Sequence, residues 1–133
     1  MKFLGLMLLL LSVTSPATAD PQSKSYSRWF IEKQTAQVKF TVVAREISRI
    51  PAYKNNADFN QVLSEHLKKS LRFVNSGVDC PMNIERVRQT KPGHHVASLR
   101  FDCERDIADA QISNNAFFDL VTSHVHFARV KTS

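Results

Sequence analysis

Two cysteines, Cys80 and Cys103, enclose the stretch CPMNIERVRQTKPGHHVASLRFDC, and the sequence contains no others. No other feature narrows the possible folds as much. A bridge between them closes a loop of roughly 20 residues, which loop-closure entropy converts into about 3 kcal/mol of stability. The two halves of the loop read as strands, because Met82 and Ile84 alternate in the first and Ala97, Leu99, Phe101 and Cys103 in the second. Placing Cys80 opposite Cys103 in an antiparallel pair sets Met82 against Phe101 and Ile84 against Leu99. It would also turn Arg86 toward the buried side, opposite Ala97, where an unpaired guanidinium is costly. The next apolar residue is Val87, so the register predicts a β-bulge near Glu85 and Arg86 that restores the apolar face. Gln89 to His94 (QTKPGH) is then the turn, marked by Pro92-Gly93.

Paired cysteines belong to an oxidising compartment, and the N-terminus agrees. MKFLGLMLLLLSVTSPATAD carries a lysine, an apolar run from Phe3 to Leu11, and small residues ending in Ala17-Thr18-Ala19. This is the pattern of a secretory signal peptide with an A-x-A cleavage site. The run is shorter than the ~20 apolar residues of a membrane helix. The expectation is a secreted, extracellular chain beginning at Asp20, with 114 of the 133 residues remaining, room for one domain. Loss of Lys2 leaves 17 of the 18 basic residues against 12 acidic ones. Such an excess attracts acidic glycans, anionic lipid or nucleic acid, or serves solubility alone. No N-x-S/T triplet occurs, so N-glycosylation is not expected.

Residues 20–36 open with the polar DPQSKSYS and read as a lead segment, with Trp29, Phe30 and Ile31 either extending a strand or forming a short helix. From Gln37 the alternation of Val38, Phe40, Val42 and Ala44 with Lys39, Thr41 and Arg45 predicts a strand with one buried face. After Pro51, Phe59, Val62, Leu63, His66, Leu67, Ser70, Leu71 and Val74 fall on one helical stripe. Asn55 or Asn56 is the expected N-cap, with Asp58 in the first turn, and Asn75-Ser76-Gly77 the expected stop. Towards the end, Asn114 or Asn115 can cap a short helix holding Phe117, Leu120 and Val121, and Val125 and Phe127 alternate in a last strand. The whole is a single α+β domain over residues 37–133. Its expected order is the ferredoxin-like βαββαβ, an antiparallel sheet with two helices on one face and one disulfide.

Over residues 37–130 this order resembles the SEA domain, the extracellular module of mucins and other glycan-rich surface proteins. The residues that carry the resemblance are REISRIPAY running into NNADFNQVLSEHLKKSL, and KPGHHVASLRFDC, which is similar to the SEA hairpin bearing a G-S-V-V-V self-cleavage site. Here Gly93 is followed by His94-His95-Val96, so the serine nucleophile is absent and the resemblance implies no self-cleavage.

The histidines invite a metal reading, His94-His95 as neighbours and His124-x-His126 on one strand face. In a ferredoxin-like sheet the two pairs fall near opposite ends, ~20 Å apart at about 3.3 Å per residue, too far to converge. No metal and no cofactor is expected. His66, on the apolar stripe, is expected to be partly buried and hydrogen-bonded. No G-x-S-x-G elbow or free thiol supports nucleophilic catalysis. SHVHF is similar to the VHF of pancreatic-type ribonucleases, but a second histidine near the N-terminus and further disulfides are missing.

A binding function fits better. Arg86, Arg88, Lys91 and Arg100 lie between the cysteines against Glu85 and Asp102. A stapled loop presenting cations has its ordering cost already met before it grips a sulfated glycan or a lipid phosphate. Crustacean anti-lipopolysaccharide factors also place a basic hairpin between two cysteines. A second candidate surface is the helix face Lys68, Lys69 and Arg72, suited to anionic membrane, although its apolar stripe is needed for the core. The reading is a secreted, non-enzymatic binding module for acidic carbohydrate or a cell-surface protein, with no specific nucleic acid target. The alternatives are host defence at anionic lipid or lipopolysaccharide, and a cystatin-like inhibitor, whose Q-x-V-x-G loop is absent.

Overall fold

The computed structural model describes residues 22–55 and 57–133, and the expected signal peptide and Asn56 lie outside them. The chain opens with an antiparallel hairpin of β1 (Lys24–Glu32) and β2 (Thr35–Val43). Residues read from sequence as a polar lead therefore supply a full strand. Their inner positions are Ser23, Ser25, Ser27 and Trp29, all buried, and serine there conceals the alternation that marks a half-buried strand. In β2 the buried set is Ala36, Val38, Phe40 and Val42, as the alternation predicts, while Ala44 opens the short helix α1 (Ala44–Ile47).

Helix α2 (Phe59–Ser70) is capped by Asp58, whose carboxylate accepts from the Asn60 amide at 2.9 Å. The helix is shorter than its apolar stripe suggests. Leu71, Phe73 and Asn75 are buried alternately in β3 (Leu71–Asn75), so period two takes over from the helical period at Leu71. Asn75-Ser76-Gly77 is the turn from β3 to the two-residue β4 (Val78–Asp79) rather than a helix stop, with Ser76 and Gly77 both at positive φ. The strand β7 (Ala110–Asn114) pairs with the other side of β3. The expected second helix does not form. Asn114 caps a turn over residues 116–120, Leu120 and Val121 both donate to the Phe117 carbonyl, and the chain passes directly into β8 (Val125–Thr132).

The stapled segment folds as its register predicts. Strand β5 (Met82–Lys91) pairs with β6 (His94–Asp102), Met82 opposite Phe101, Ile84 opposite Leu99 and Val87 opposite Ala97, with the irregularity between Ile84 and Arg86. Cys80 and Cys103 are bridged. The turn is tighter than expected, since β5 runs to Lys91 and only Pro92 and Gly93 connect the strands.

The architecture is α+β, with a mixed sheet ordered β5-β6-β2-β1-β8 and a second, three-stranded sheet ordered β4-β3-β7. It is not ferredoxin-like: β8 returns to lie parallel beside β1, a long-range pairing that no local pattern announces. Helix α2 packs on the inner face of the large sheet. The two sheets meet at a stacked trio, Trp29, Phe73 and Phe101, with ring centroids 5.7–5.9 Å apart.

The bridge spans a sequence separation of 23 residues. A Cys80→Ala/Cys103→Ala variant should therefore lose about 3 kcal/mol, read as a lower midpoint in urea unfolding, with the β2–β6 amides still protected from exchange.

Candidate functional site

The large sheet has two unlike faces, and its registers fix what each displays. On the outer face, successive cross-strand partners form rows perpendicular to the strands. One row reads Arg86, Ser98, Lys39, Arg28, Arg129 across β5, β6, β2, β1 and β8. The next, toward the Pro92-Gly93 turn, reads Arg88, Val96, Thr41, Tyr26, Phe127, and on the other side lies Asn83, Arg100, Gln37, Phe30, Lys131. Lys24 and Lys91 add charge near the turn end. Among the described residues, Arg28, Lys39, Arg86, Arg88, Arg129 and Lys131 have no carboxylate oxygen within 4.0 Å. Tyr26 and Phe127, 47% and 51% exposed, stack on one another at 5.4 Å in the middle of this charge. A trough of about 430 Å³ is lined by Arg28, Phe30, Lys39, Glu85, Arg129 and Lys131, and one of about 380 Å³ by Tyr26, Arg28, Lys39, Arg88 and Thr90.

The sequence-selected cations do not form one site. Arg86 and Arg88 sit along edge strand β5 and face the outer surface, and Lys91 ends that strand at the Pro92-Gly93 turn. Arg100 is on the same face, but it bonds Asp102 at 2.8 Å and Glu85 at 3.1 Å; the bond to Asp102 raises its pKa and much of its charge is neutralised. Lys68 and Lys69 lie on α2, Lys68 paired with Glu65, and Arg72 is bidentate with Asp79 on the small sheet. The cations that sequence reasoning missed are Arg28, Lys39, Arg129 and Lys131. Their only sequence signal was position in an alternating strand, and that could be used only once β1 and β8 were known to be neighbours.

On the inner face, β1 and β8 are joined by a polar ladder. Trp29 Nε1 donates to Ser27 Oγ (2.8 Å), which contacts His126 Nε2 (2.7 Å); His126 Nδ1 contacts Ser25 Oγ (2.6 Å). Ser25 Oγ also contacts His124 Nε2 (2.7 Å), His124 Nδ1 contacts Ser23 Oγ (2.6 Å), and Ser23 donates to Glu46 Oε2 (2.5 Å). An indole N–H can only donate and a carboxylate can only accept, so the two ends impose one direction on every bond between. Each serine hydroxyl then donates toward Glu46, and both imidazoles are neutral with the proton on Nδ1. Glu46, fully buried, is flanked by Arg45 at 3.4 Å and Arg49 at 3.5 Å. Burial lowers the pKa of His124, against the opposing pull of Glu46, and lowers that of His126 to about 4, with His124 adding to the effect.

The ladder accounts for His124 and His126. His66 is partly buried and bonds the Ala116 carbonyl, as expected. His95, its pKa lowered by burial, bonds Asn60 at 2.8 Å. The expectation that the two histidine pairs lie at opposite ends of the sheet is corrected. Because β8 runs parallel to β1, His95, Val42, Ser25 and His126 share one row, and the pairs are at the same end. Three strand spacings, about 14 Å, still separate them. No group of three or more potential ligands converges among the described residues. Ser23, Ser25 and Ser27 are at most 4% exposed, and their hydroxyls are engaged within the ladder. Neither a family model nor a curated protein matches the sequence.

The imposed direction is measurable. Nitrogen-15 shifts of His124 and His126 at pH 7 should both report the Nδ1–H tautomer, and a Trp29→Phe variant should relax that preference at His126 before His124. An Nε2–H signature at either ring in the native protein would refute the assignment.

Proposed function

We propose that the protein is a secreted, non-enzymatic binding module that holds an extended anionic polymer, acidic carbohydrate in the first instance, across the outer face of its five-stranded sheet. The observation that carries this reading is the row Arg86, Ser98, Lys39, Arg28, Arg129, in which Lys39, Arg28 and Arg129 are direct neighbours on three adjacent strands without a carboxylate partner. Like charges directly opposite one another destabilise a sheet. A bound anion removes that repulsion, so part of the binding free energy is already stored in the unliganded face. The row spans about 19 Å from β5 to β8, longer than a single charged group and suited to consecutive groups of a chain. The Tyr26–Phe127 pair offers apolar surface beside it for the uncharged part of such a polymer.

The reading moves the grip from the hairpin turn to the whole face, with Arg86 and Arg88 as one margin. It also disfavours the helix as a membrane surface, since Leu63 and Leu67 on the apolar stripe of α2 are fully buried in the core.

On a heparin column the disulfide-intact protein should elute at higher salt than on a sulfonate cation exchanger. The Arg28→Ser/Lys39→Ser variant should lose most of that difference, and Lys68→Ser/Lys69→Ser, which removes the same charge from the other layer, should keep it. Equal effects of the two variants would mean that only net charge is felt and would sink the proposal.

A further inference from the structure

We infer that Lys39, Arg28 and Arg129 form a subsite for a monoester oxyanion, a sulfate or phosphate group attached through one oxygen. This rests on the polyanion reading above and narrows it. The three side chains start from directly opposed positions on β2, β1 and β8, with Arg28 in the middle and neighbouring strands about 4.8 Å apart. Long cationic side chains so placed can converge on one group above Arg28 from three directions. A sulfate or phosphate monoester presents three terminal oxygens pointing in three directions, one for each cation, and a phosphate brings close to two negative charges. A carboxylate presents two coplanar oxygens, which a single guanidinium fork satisfies, leaving the flanking cations opposed and unneutralised. A phosphodiester has only two free oxygens, and fails in the same way. The three residues line the 430 Å³ trough, whose margin includes one carboxylate, that of Glu85. Glu85 is itself held by Arg100 at 3.1 Å.

The test compares four polymers of matched charge spacing, each against the mature disulfide-bonded protein: dextran sulfate, phosphomonoester dextran, polygalacturonate and single-stranded DNA. At least one of the two monoesters should bind about 10-fold or more tighter than polygalacturonate and DNA, the scale of one extra charge-assisted hydrogen bond. The tighter of the two names the source. Arg28→Ala should abolish the preference, and Arg28→Lys, which keeps charge but loses the fork, should restore only part of it. Arg88→Ala should weaken all four polymers in proportion. If polygalacturonate binds as well as the monoesters, the subsite is refuted and the polyanion reading stands. If none of the four binds, both fall.

The polar ladder independently carries a second inference: we infer that mild acid opens the β1–β8 edge and withdraws β8 from the binding face. The ladder is complete only with both imidazoles neutral. A proton added at His126 Nε2 makes that nitrogen a donor toward Ser27, which already receives the Trp29 N–H, and the Ser27 hydroxyl proton loses its acceptor. The groups facing the two rings offer no compensating anion. Phe40 stacks on His126, and Phe117 and Phe118 pack on His124. Beyond Phe117 lies His66, and in the same row across the sheet lies His95, both imidazoles rather than acids. The single carboxylate is Glu46, already engaged by Arg45, Arg49 and Ser23. His126, held near 4 in the folded state, gains a proton far more readily once β8 is free. A lowered folded pKa means that the stabilising contribution is present above the unfolded value of about 6.5 and is lost as pH falls toward 4.

From His126 alone the open population should rise about 20-fold between pH 7 and pH 5. Hydrogen exchange corrected for intrinsic rates reads this directly: β8 amides should lose protection at pH 5 while β2 and β6 keep theirs. In His126→Gln the change in β8 protection between the two pH values should shrink, and in His124→Gln/His126→Gln it should vanish, whatever the level of protection. Unchanged β8 protection in the native chain, or loss of protection throughout the sheet at once, would overturn the inference.

Discussion

The first and last strands of the large sheet are held together by a ladder of hydroxyls and imidazoles, and much of the molecule's surface chemistry depends on that pairing. Ser23, Ser25 and Ser27 alternate with His124 and His126 so that every polar atom finds a partner. A slip of β8 by one residue would turn both histidines to the outer face and bring Phe127 inward. A slip by two would keep the faces but strand a hydroxyl or a ring, at roughly 1–3 kcal/mol for each buried group left unpaired. The register is therefore tightly specified, and it is this register that sets Arg129 directly beside Arg28 on the opposite face.

The ladder is protected because the core around it is aromatic. Phe40 stacks on His126 at 5.2 Å, and Phe117 lies 5.3 Å from His124 and 6.3 Å from Phe40, so the rings exclude water from the row of hydroxyls. In such surroundings each hydrogen bond is electrostatically stronger than in water, and a broken one is correspondingly costly. At the other end of the sheet the Trp29, Phe73 and Phe101 trio joins the two sheets, and Trp29 belongs to both systems through its ring and its N–H. Packing and polar order are thus coupled through a single side chain.

What was legible in the sequence was local. The alternation of Met82, Ile84, Leu99 and Phe101, with Val87 out of phase, contained the β5–β6 register and its bulge. The disulfide, the buried face of β2 and the existence of α2 followed from equally short-range patterns. Strand β1 was hidden because, apart from Trp29, its buried positions are serines, which satisfy themselves against histidines about 100 residues away rather than by being apolar. Leu71 and Val74 continued the helical stripe, and only Phe73, buried between them in sequence, marked the change of period. The β1–β8 pairing is non-local and parallel, so the rows of the outer face could not be assembled before it was known. The hairpin half of the candidate site was visible from its cysteines; the central half was not.

That division bears on whether the basic face has a use. Arginine and lysine on edge strands have a common structural purpose, since charge on an exposed edge deters pairing with another sheet. Arg86, Arg88 and Lys91 on β5, and Arg129 and Lys131 on β8, are accounted for in that way without any ligand. Arg28 and Lys39 are not. They lie on β1 and β2, which are paired on both sides and have no edge to protect, and they face each other directly. A glutamate at either position would have given a favourable cross-strand pair, on a chain with 12 acidic residues to place. Solubility does not require that two cations be opposed, only that charge be present. The two residues least explained by edge protection are therefore the ones at the centre of the row, and they favour an anionic ligand more strongly than the stapled hairpin does.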